Sequence, residues 1–148
     1  MPVVLLSAAL VACSSPPKPK VTSVTGTIQA AADVNPSVSQ RPSPLRIRIY
    51  ELKSAAAFNS ADFMALFQSS AATLGADVLA SEEMTLEPGQ SRPVNKQLNA
   101  ETRFVAVFAA YRDLERATWR AISPVEFGAA QQLTVKADAL VVSIQIKR

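Results

Sequence analysis

Four residues near the start of the chain, Leu10-Val11-Ala12-Cys13, have the types and spacing of a lipobox. The chemistry such a site undergoes is cleavage of a secretory leader just before the cysteine, followed by acylation of the new N-terminal residue. Cys13 is the only cysteine in the sequence, so no internal disulfide can form. Upstream, Val3-Val4-Leu5-Leu6 and Ala8-Ala9-Leu10-Val11 form an apolar run that suits a leader and is too short to span a bilayer. Ala12, Ser14 and Ser15 are small, as a peptidase subsite that excludes bulk requires. Ser14-Ser15-Pro16-Pro17-Lys18-Pro19-Lys20 follows at once and cannot continue a helix, which argues against a cysteine buried in an ordinary N-terminal helix. No Lys or Arg precedes the apolar run. Either the leader is weakly charged or the coding sequence starts upstream of Met1. Residues 1–12 are expected to be a lipoprotein signal peptide, and 13–20 the lipidated N-terminus and a Pro-rich, semi-rigid tether.

Lipidation at Cys13 would fix the location. One acyl chain anchors only marginally, at about 0.8 kcal/mol per buried CH₂. A thioether diacylglycerol with an N-acyl chain such as palmitate is effectively permanent. The residue after Cys13 is Ser, not Asp. By the usual sorting rule this favours the periplasmic face of the outer membrane.

The rest of the composition removes most other chemistry. The chain has 148 residues and no histidine, which excludes the commonest general base, the commonest metal ligand and every Ser/His or Cys/His nucleophile. Glu82-Glu83 could be read as an acid/base pair, but adjacent strand residues point to opposite faces and cannot converge on one bond. The glycines (Gly26, Gly75, Gly89, Gly128) are isolated, so there is no phosphate-cradling loop. No enzyme, metal or cofactor is expected. The net charge of +3 and pI near 9.3 are mildly basic, but the cations are scattered and a periplasmic address excludes nucleic acid as partner.

The elements beyond the tether read as short strands, making residues 21–148 one domain large enough for a real core. Val21–Ala32 is the first strand, with Gly26 expected to mark a bulge. Asp33–Pro44 has three prolines and no hydrophobic period, so it is a long loop, and loops of that length tend to be functional or disordered. Leu45–Leu52 alternates cleanly, with Leu45, Ile47 and Ile49 inward and Arg46 and Arg48 outward. Ser54 and Ser60 can then cap two short helical stretches, the second with Phe63, Leu66 and Phe67 at helical spacing and Gly75 as its stop. Val78–Leu86 and Ser91–Leu98 flank Glu87-Pro88-Gly89-Gln90, a type II turn signature that predicts a hairpin. Phe104–Tyr111 is apolar on both faces, which predicts a central strand covered by an opposing sheet and by the helical insertion. Thr118–Ser123, Leu133–Lys136 and Leu140–Lys147 supply the remaining strands. Seven or eight strands with few helices predict a mainly β protein: a two-sheet antiparallel β-sandwich with a small helical insertion between strands two and three.

The chain resembles a known family, the outer-membrane lipoprotein of the type VI secretion system called TssJ or SciN. The resemblance is carried by Asn35-Pro36, Arg41–Lys53, Ala57–Phe63, Leu74-Gly75-Ala76-Asp77, Leu86-Glu87-Pro88-Gly89, Tyr111-Arg112-Asp113-Leu114 and Trp119-Arg120, in that order behind the lipobox. It implies a transthyretin-like sandwich with extra helices, a protruding loop between the first two strands, and a role without catalysis. The family holds the periplasmic domain of the inner-membrane IcmF-like protein TssM to the outer membrane. Its partner-binding loop corresponds here to Asp33–Pro44, with Asn35, Pro36, Gln40, Arg41, Pro42 and Ser43 as the contact residues. The prolines would lower the entropy lost on docking, and Arg41 offers a planar fork for carboxylates or carbonyls. Two other readings stand beside this one. The loop could be an irregular crossover whose prolines only protect sheet edges. The domain could be a periplasmic ligand-binding sandwich, which would want aromatics clustered on its loops. The hydrolase known on the transthyretin-like architecture depends on histidines that this chain lacks.

Overall fold

The structure, a computed structural model, describes residues 13–148. The signal-peptide expectation for residues 1–12 lies outside the described residues. Eight strands and two helices follow the tether. They are β1 (Ser23–Ala30), β2 (Leu45–Leu52), α1 (Ala56–Ser60), α2 (Phe63–Leu74), β3 (Val78–Leu86), β4 (Ser91–Gln97), β5 (Phe104–Ala109), β6 (Arg120–Pro124), β7 (Ala130–Ala137) and β8 (Val142–Lys147). The strands form two four-stranded sheets, β4-β1-β7-β8 and β3-β2-β5-β6. The predicted mainly β sandwich is the architecture found.

The inner faces of the sheets enclose one core: Val24, Ile28, Leu45, Ile47, Val105, Val107, Leu133, Val135 and Val142 are all buried there. The outer face of the β3-β2-β5-β6 sheet carries a second core, where Tyr50, Leu52, Ala106 and Phe108 meet Phe58, Leu66 and Leu74 of the helices. This explains why β5 is apolar on both faces. Val105, Val107 and Ala109 look into the sandwich, and Ala106 and Phe108 look at the helical layer. The same layer covers the outward face of β2 beyond Arg46, where Arg48, Tyr50 and Leu52 lie under the helices. Burying Phe58 and Leu66 completely contributes about 2 kcal/mol each toward holding the helices down.

Two arginines on this face supply the polar seams. The Arg48 guanidinium donates to Glu83 (2.9 Å), to the Tyr50 hydroxyl (3.2 Å) and to the carbonyl of Leu66 (2.7 Å). Burial opposes the charge on Arg48, but its bonds and charge contacts with Tyr50 and Glu83 outweigh this and raise its pKa. Helix α2 leaves helical dihedrals at Ser69, and the two carbonyls a turn earlier accept from Thr73 Oγ1 (Ala65) and from Arg48 (Leu66). Arg120 donates to the carbonyls of Phe58 (3.0 Å) and Ala61 (2.6 Å) at the end of α1 and lies over the Trp119 ring. Trp119 is a packing residue, edge-on to Phe63 and Phe108.

Four local expectations are corrected. The Glu87–Gln90 turn forms, with Gly89 at φ 77° and the Gln90 amide bonded to the Glu87 carbonyl. It does not close a hairpin, because β3 pairs with β2 and β4 pairs with β1, so the turn carries the chain from one sheet to the other. Strands β1 and β7 run parallel, the one departure from antiparallel pairing between named strands of the described residues. Gly26 marks no bulge: its register is unbroken against both neighbours. A Cβ there would sit 1.8 Å from the Leu133 carbonyl oxygen, and its φ of 153° disfavours any other residue. Finally, Asp62 and not Ser60 caps α2, accepting from the Ala65 amide at 2.7 Å.

The topology gives the sandwich two poles. The starts of β1, β5 and β7 and the ends of β2, β4 and β8 share one pole, where the tether enters. The Asp33–Pro44 loop spans from the end of β1 to the start of β2 at the other.

Candidate functional site

At the pole away from the tether, the 33–44 loop is folded, not loose. Val34 is fully buried and pins its first half into the sandwich core. Asn35 is buried with a positive φ of 49°, a conformation asparagine tolerates better than most residues. Its amide N–H donates to the Ala139 carbonyl (2.9 Å) and its side-chain Nδ2 to the Pro44 carbonyl (3.0 Å). Its Oδ1 accepts from the amide of Arg112 (2.9 Å). One side chain thus ties the start of the loop to its end and to the segment between β5 and β6. Nearby, the Tyr111 hydroxyl donates to the Asp138 carbonyl (2.9 Å), and burial, with the Asp138 charge, pushes its pKa up. The outer half of the loop closes on itself. The Ser37 amide donates to the Arg41 carbonyl (2.8 Å), the Gln40 amide to the Ser37 carbonyl (2.9 Å), and the Arg41 amide to Ser37 Oγ (3.2 Å). Gln40 takes φ 62° to make that turn.

Between this loop and the residues after β5 lies an open groove of about 530 Å³. Pro36, Val38 and Gln40 form one wall, and Arg112, Leu114 and Arg116 belong to the other. Val38, at the loop tip, is fully exposed, and Leu114 faces it across the groove at 38% exposure. Arg116 is engaged by Asp113, Nε to Oδ2 at 2.6 Å. The side chains of Arg41 and Arg112 have no hydrogen-bond or ion-pair partner among the described residues. The groove therefore presents an exposed apolar tip and the uncommitted Arg112 guanidinium beside the Asp113 and Glu115 carboxylates, with Arg41 on the same loop outside its lining. That suits docking of a protein surface. No group of three or more His, Cys, Asp or Glu among the described residues could hold a metal.

Residues 22–140 match the T6SS-SciN family, described as type VI secretion lipoprotein and including VasD, EvfM and TssJ. The chain belongs to the TssJ family of type VI secretion lipoproteins. Its fold superimposes on the type VI lipoprotein TssJ1 from Pseudomonas aeruginosa with a TM-score of 0.83 and 38% identity, over 86% of this chain and 98% of that one. Lip of Serratia marcescens, a membrane-bound component of the type VI secretion system, gives 0.75 and 25% over 86% and 98%. A chain in a structure described as the T6SS protein TssM C-terminal domain from EAEC gives 0.68 and 26% over 84% and 98%. No curated protein matches by sequence.

In this TssJ fold the six loop residues singled out from sequence fall into two groups. Gln40, Arg41 and Pro42 are exposed and Pro36 is half-buried. Asn35 and Ser43 are buried; Asn35 is spent on internal bonds, and the Ser43 hydroxyl donates to the Arg41 carbonyl (3.3 Å). Those two shape the loop from within. Sequence reasoning did not single out Val34, Val38 or Leu114. A lone valine between serines in a polar loop was the available signal for Val38. Cys13, the first of the described residues, is exposed.

Proposed function

We propose that this TssJ-family lipoprotein is a non-catalytic anchor. Acylated Cys13 holds it in the periplasmic face of the outer membrane, and the far pole docks the periplasmic domain of an IcmF-like TssM. The observation that carries this reading is polarity. The tether enters at one end of eight-residue strands, and the groove beside the 33–44 loop lies at the other. At about 3.3 Å per residue, those strands hold the docking surface about 25 Å beyond the point where the tether enters. A chain of this fold occurs in a structure described as the TssM C-terminal domain, which supports the choice of partner. The loop's internal bonds support it too, since a pre-ordered loop loses little entropy on docking. The ligand-binding alternative wants loop aromatics, and the residues lining the groove include none.

The test is capture of the purified TssM periplasmic domain by a chain carrying Arg41→Glu and Arg112→Glu. Both residues are exposed, so the melting temperature should stay unchanged while capture falls at least about ten-fold. Undiminished capture by this variant and by Val38→Asp would place the interface elsewhere. In cells, Cys13→Ser should release the protein from the membrane and stop secretion. Secretion that survives the release would end the anchoring role.

A further inference from the structure

The tether is shorter in practice than its sequence. Lys20 is docked: its side-chain stem lies on Gly128, so close that a Cβ at that glycine would stand 2.9 Å from the Lys20 Cβ. The Gly128 amide donates to Thr22 Oγ1 (2.9 Å) and the Ser23 amide to the Ala129 carbonyl (3.1 Å), fastening this entry segment to the β6–β7 connection. Only residues 13–19 are left to reach the membrane, at most about 25 Å when fully extended. The pole that Lys20 leaves is thus confined near whatever surface holds Cys13.

That pole has an unusual surface for one facing water. Phe127, in the β6–β7 connection, is half exposed, and Val21 beside the tether is 44% exposed. The Arg103 guanidinium lies 5.5 Å above the Phe127 ring and is oriented by donating to the carbonyls of Ala100 and Thr102. Of the side-chain carboxylates at this pole, Glu51, Glu101 and Glu126 are matched by Lys96 (2.6 Å), Lys53 (2.8 Å) and Arg148 (3.1 Å), and Asp77 alone has no ion-pair partner among the described residues. Lys18, Lys20, Arg103 and Lys147 are left without a side-chain carboxylate partner among the described residues. An exposed aromatic ring with one cation over it and further unpaired cations at the same pole is the combination that settles at a lipid–water interface, the ring at headgroup depth and the cations on phosphates.

We infer that this pole is a second membrane contact, with Phe127 seated among lipid headgroups and Lys18, Lys20 and Arg103 on their phosphates. The inference rests on the lipid-anchor reading of Cys13. Its consequence is that the domain stands upright on the bilayer instead of swinging on its tether, so the opposite groove points away from the membrane.

The experiment uses the lipidated chain in phosphatidylethanolamine–phosphatidylglycerol vesicles containing lipids brominated high on the acyl chain. The native chain supplies its own control, because its single tryptophan, Trp119, precedes β6 at the far pole. Phe127→Trp should lose about two-fold more emission to the bromines than the native chain does. Adding Lys18→Glu and Lys20→Glu, or replacing phosphatidylglycerol by phosphatidylcholine, should reduce that quenching. If the Phe127→Trp chain floats with the vesicles yet is quenched no more than the native chain, the membrane contact is overturned. It is overturned equally if quenching is absent and the emission instead changes with protein density, which would assign the pole to a second copy. If the native lipidated chain does not float at all, the anchor reading itself has failed, and the inference falls with it.

Discussion

The side-chain amide of Asn35 joins Pro44 to Arg112, donating to one carbonyl and accepting from the other residue's amide. It thereby closes the long loop at its base and fixes it to the segment that forms the facing wall of the groove. Both bonds are made inside the protein, where an unmade partner costs more than the bond contributes. Asn35→Ala should therefore cost about 2 to 3 kcal/mol of stability. Urea denaturation measures that loss, and amide exchange should speed up at Arg112 and through residues 36–43. Unchanged exchange would mean that Val34 and the prolines hold the loop without Asn35.

Glu51 is the buried carboxylate of the fold, and it lies near the tether pole. It bonds Lys96 (2.6 Å), the Asn99 amide (2.8 Å) and the Thr102 hydroxyl (2.8 Å), linking β2 to β4 and to the β4–β5 connection. Burial alone pushes its carboxyl up; the bonds from Lys96, Asn99 and Thr102, with the Lys96 charge, outweigh it and hold the carboxyl below its ordinary value. A carboxyl lowered by folding adds stability that is complete above its unfolded pKa of about 4.3 and disappears as pH falls through the folded value. Glu51→Gln should cost about 2 kcal/mol at pH 7. The gap between variant and native chain should close on acidification below about pH 4. Denaturant midpoints measured from pH 7 to pH 2 check both statements, and a constant gap would contradict them.

Gly26 allows β1 and β7 to pair side by side in parallel. With no room for a Cβ before the Leu133 carbonyl, Gly26→Ala must push the strands apart along their shared ladder. The expected loss is about 4 kcal/mol or more, enough to leave little folded protein. Circular dichroism and expression yield report it directly. A fully folded Gly26→Ala chain would show that the two strands can separate cheaply.

Arg48 fastens the helical layer to the sandwich. Arg48→Met removes the guanidinium that lies over the Phe108 ring and leaves the Leu66 carbonyl without its donor. It should cost about 1 to 3 kcal/mol. The loss should appear first as faster proteolysis and exchange within α2, before the sheets melt. A change spread evenly over the whole domain would mean that helices and sandwich form one cooperative unit.

Elements whose physics is local are legible from the order of residues alone. The period-two alternation of Leu45–Leu52 sets β2, and the two-faced apolar run beginning at Phe104 sets β5 and demands cover on both sides. The Pro88-Gly89 pair makes its turn from its own dihedral preferences. The lack of histidine narrows the chemistry before any coordinate is known. Features that depend on distant partners emerge only when the chain is packed. Whether the Pro88-Gly89 turn closes a hairpin depends on which strands β3 and β4 pair with, and those partners lie in different sheets. The need for Gly26 comes from a carbonyl more than a hundred residues away, and so leaves no local pattern. In the candidate site, composition marks the long loop and the family resemblance points to its residues, but neither separates the exposed Arg41 and Pro42 from Asn35 and Ser43. Only the packed fold shows them turned inward, because a hydrogen-bonding group contacts a partner only where the interior has not already claimed it.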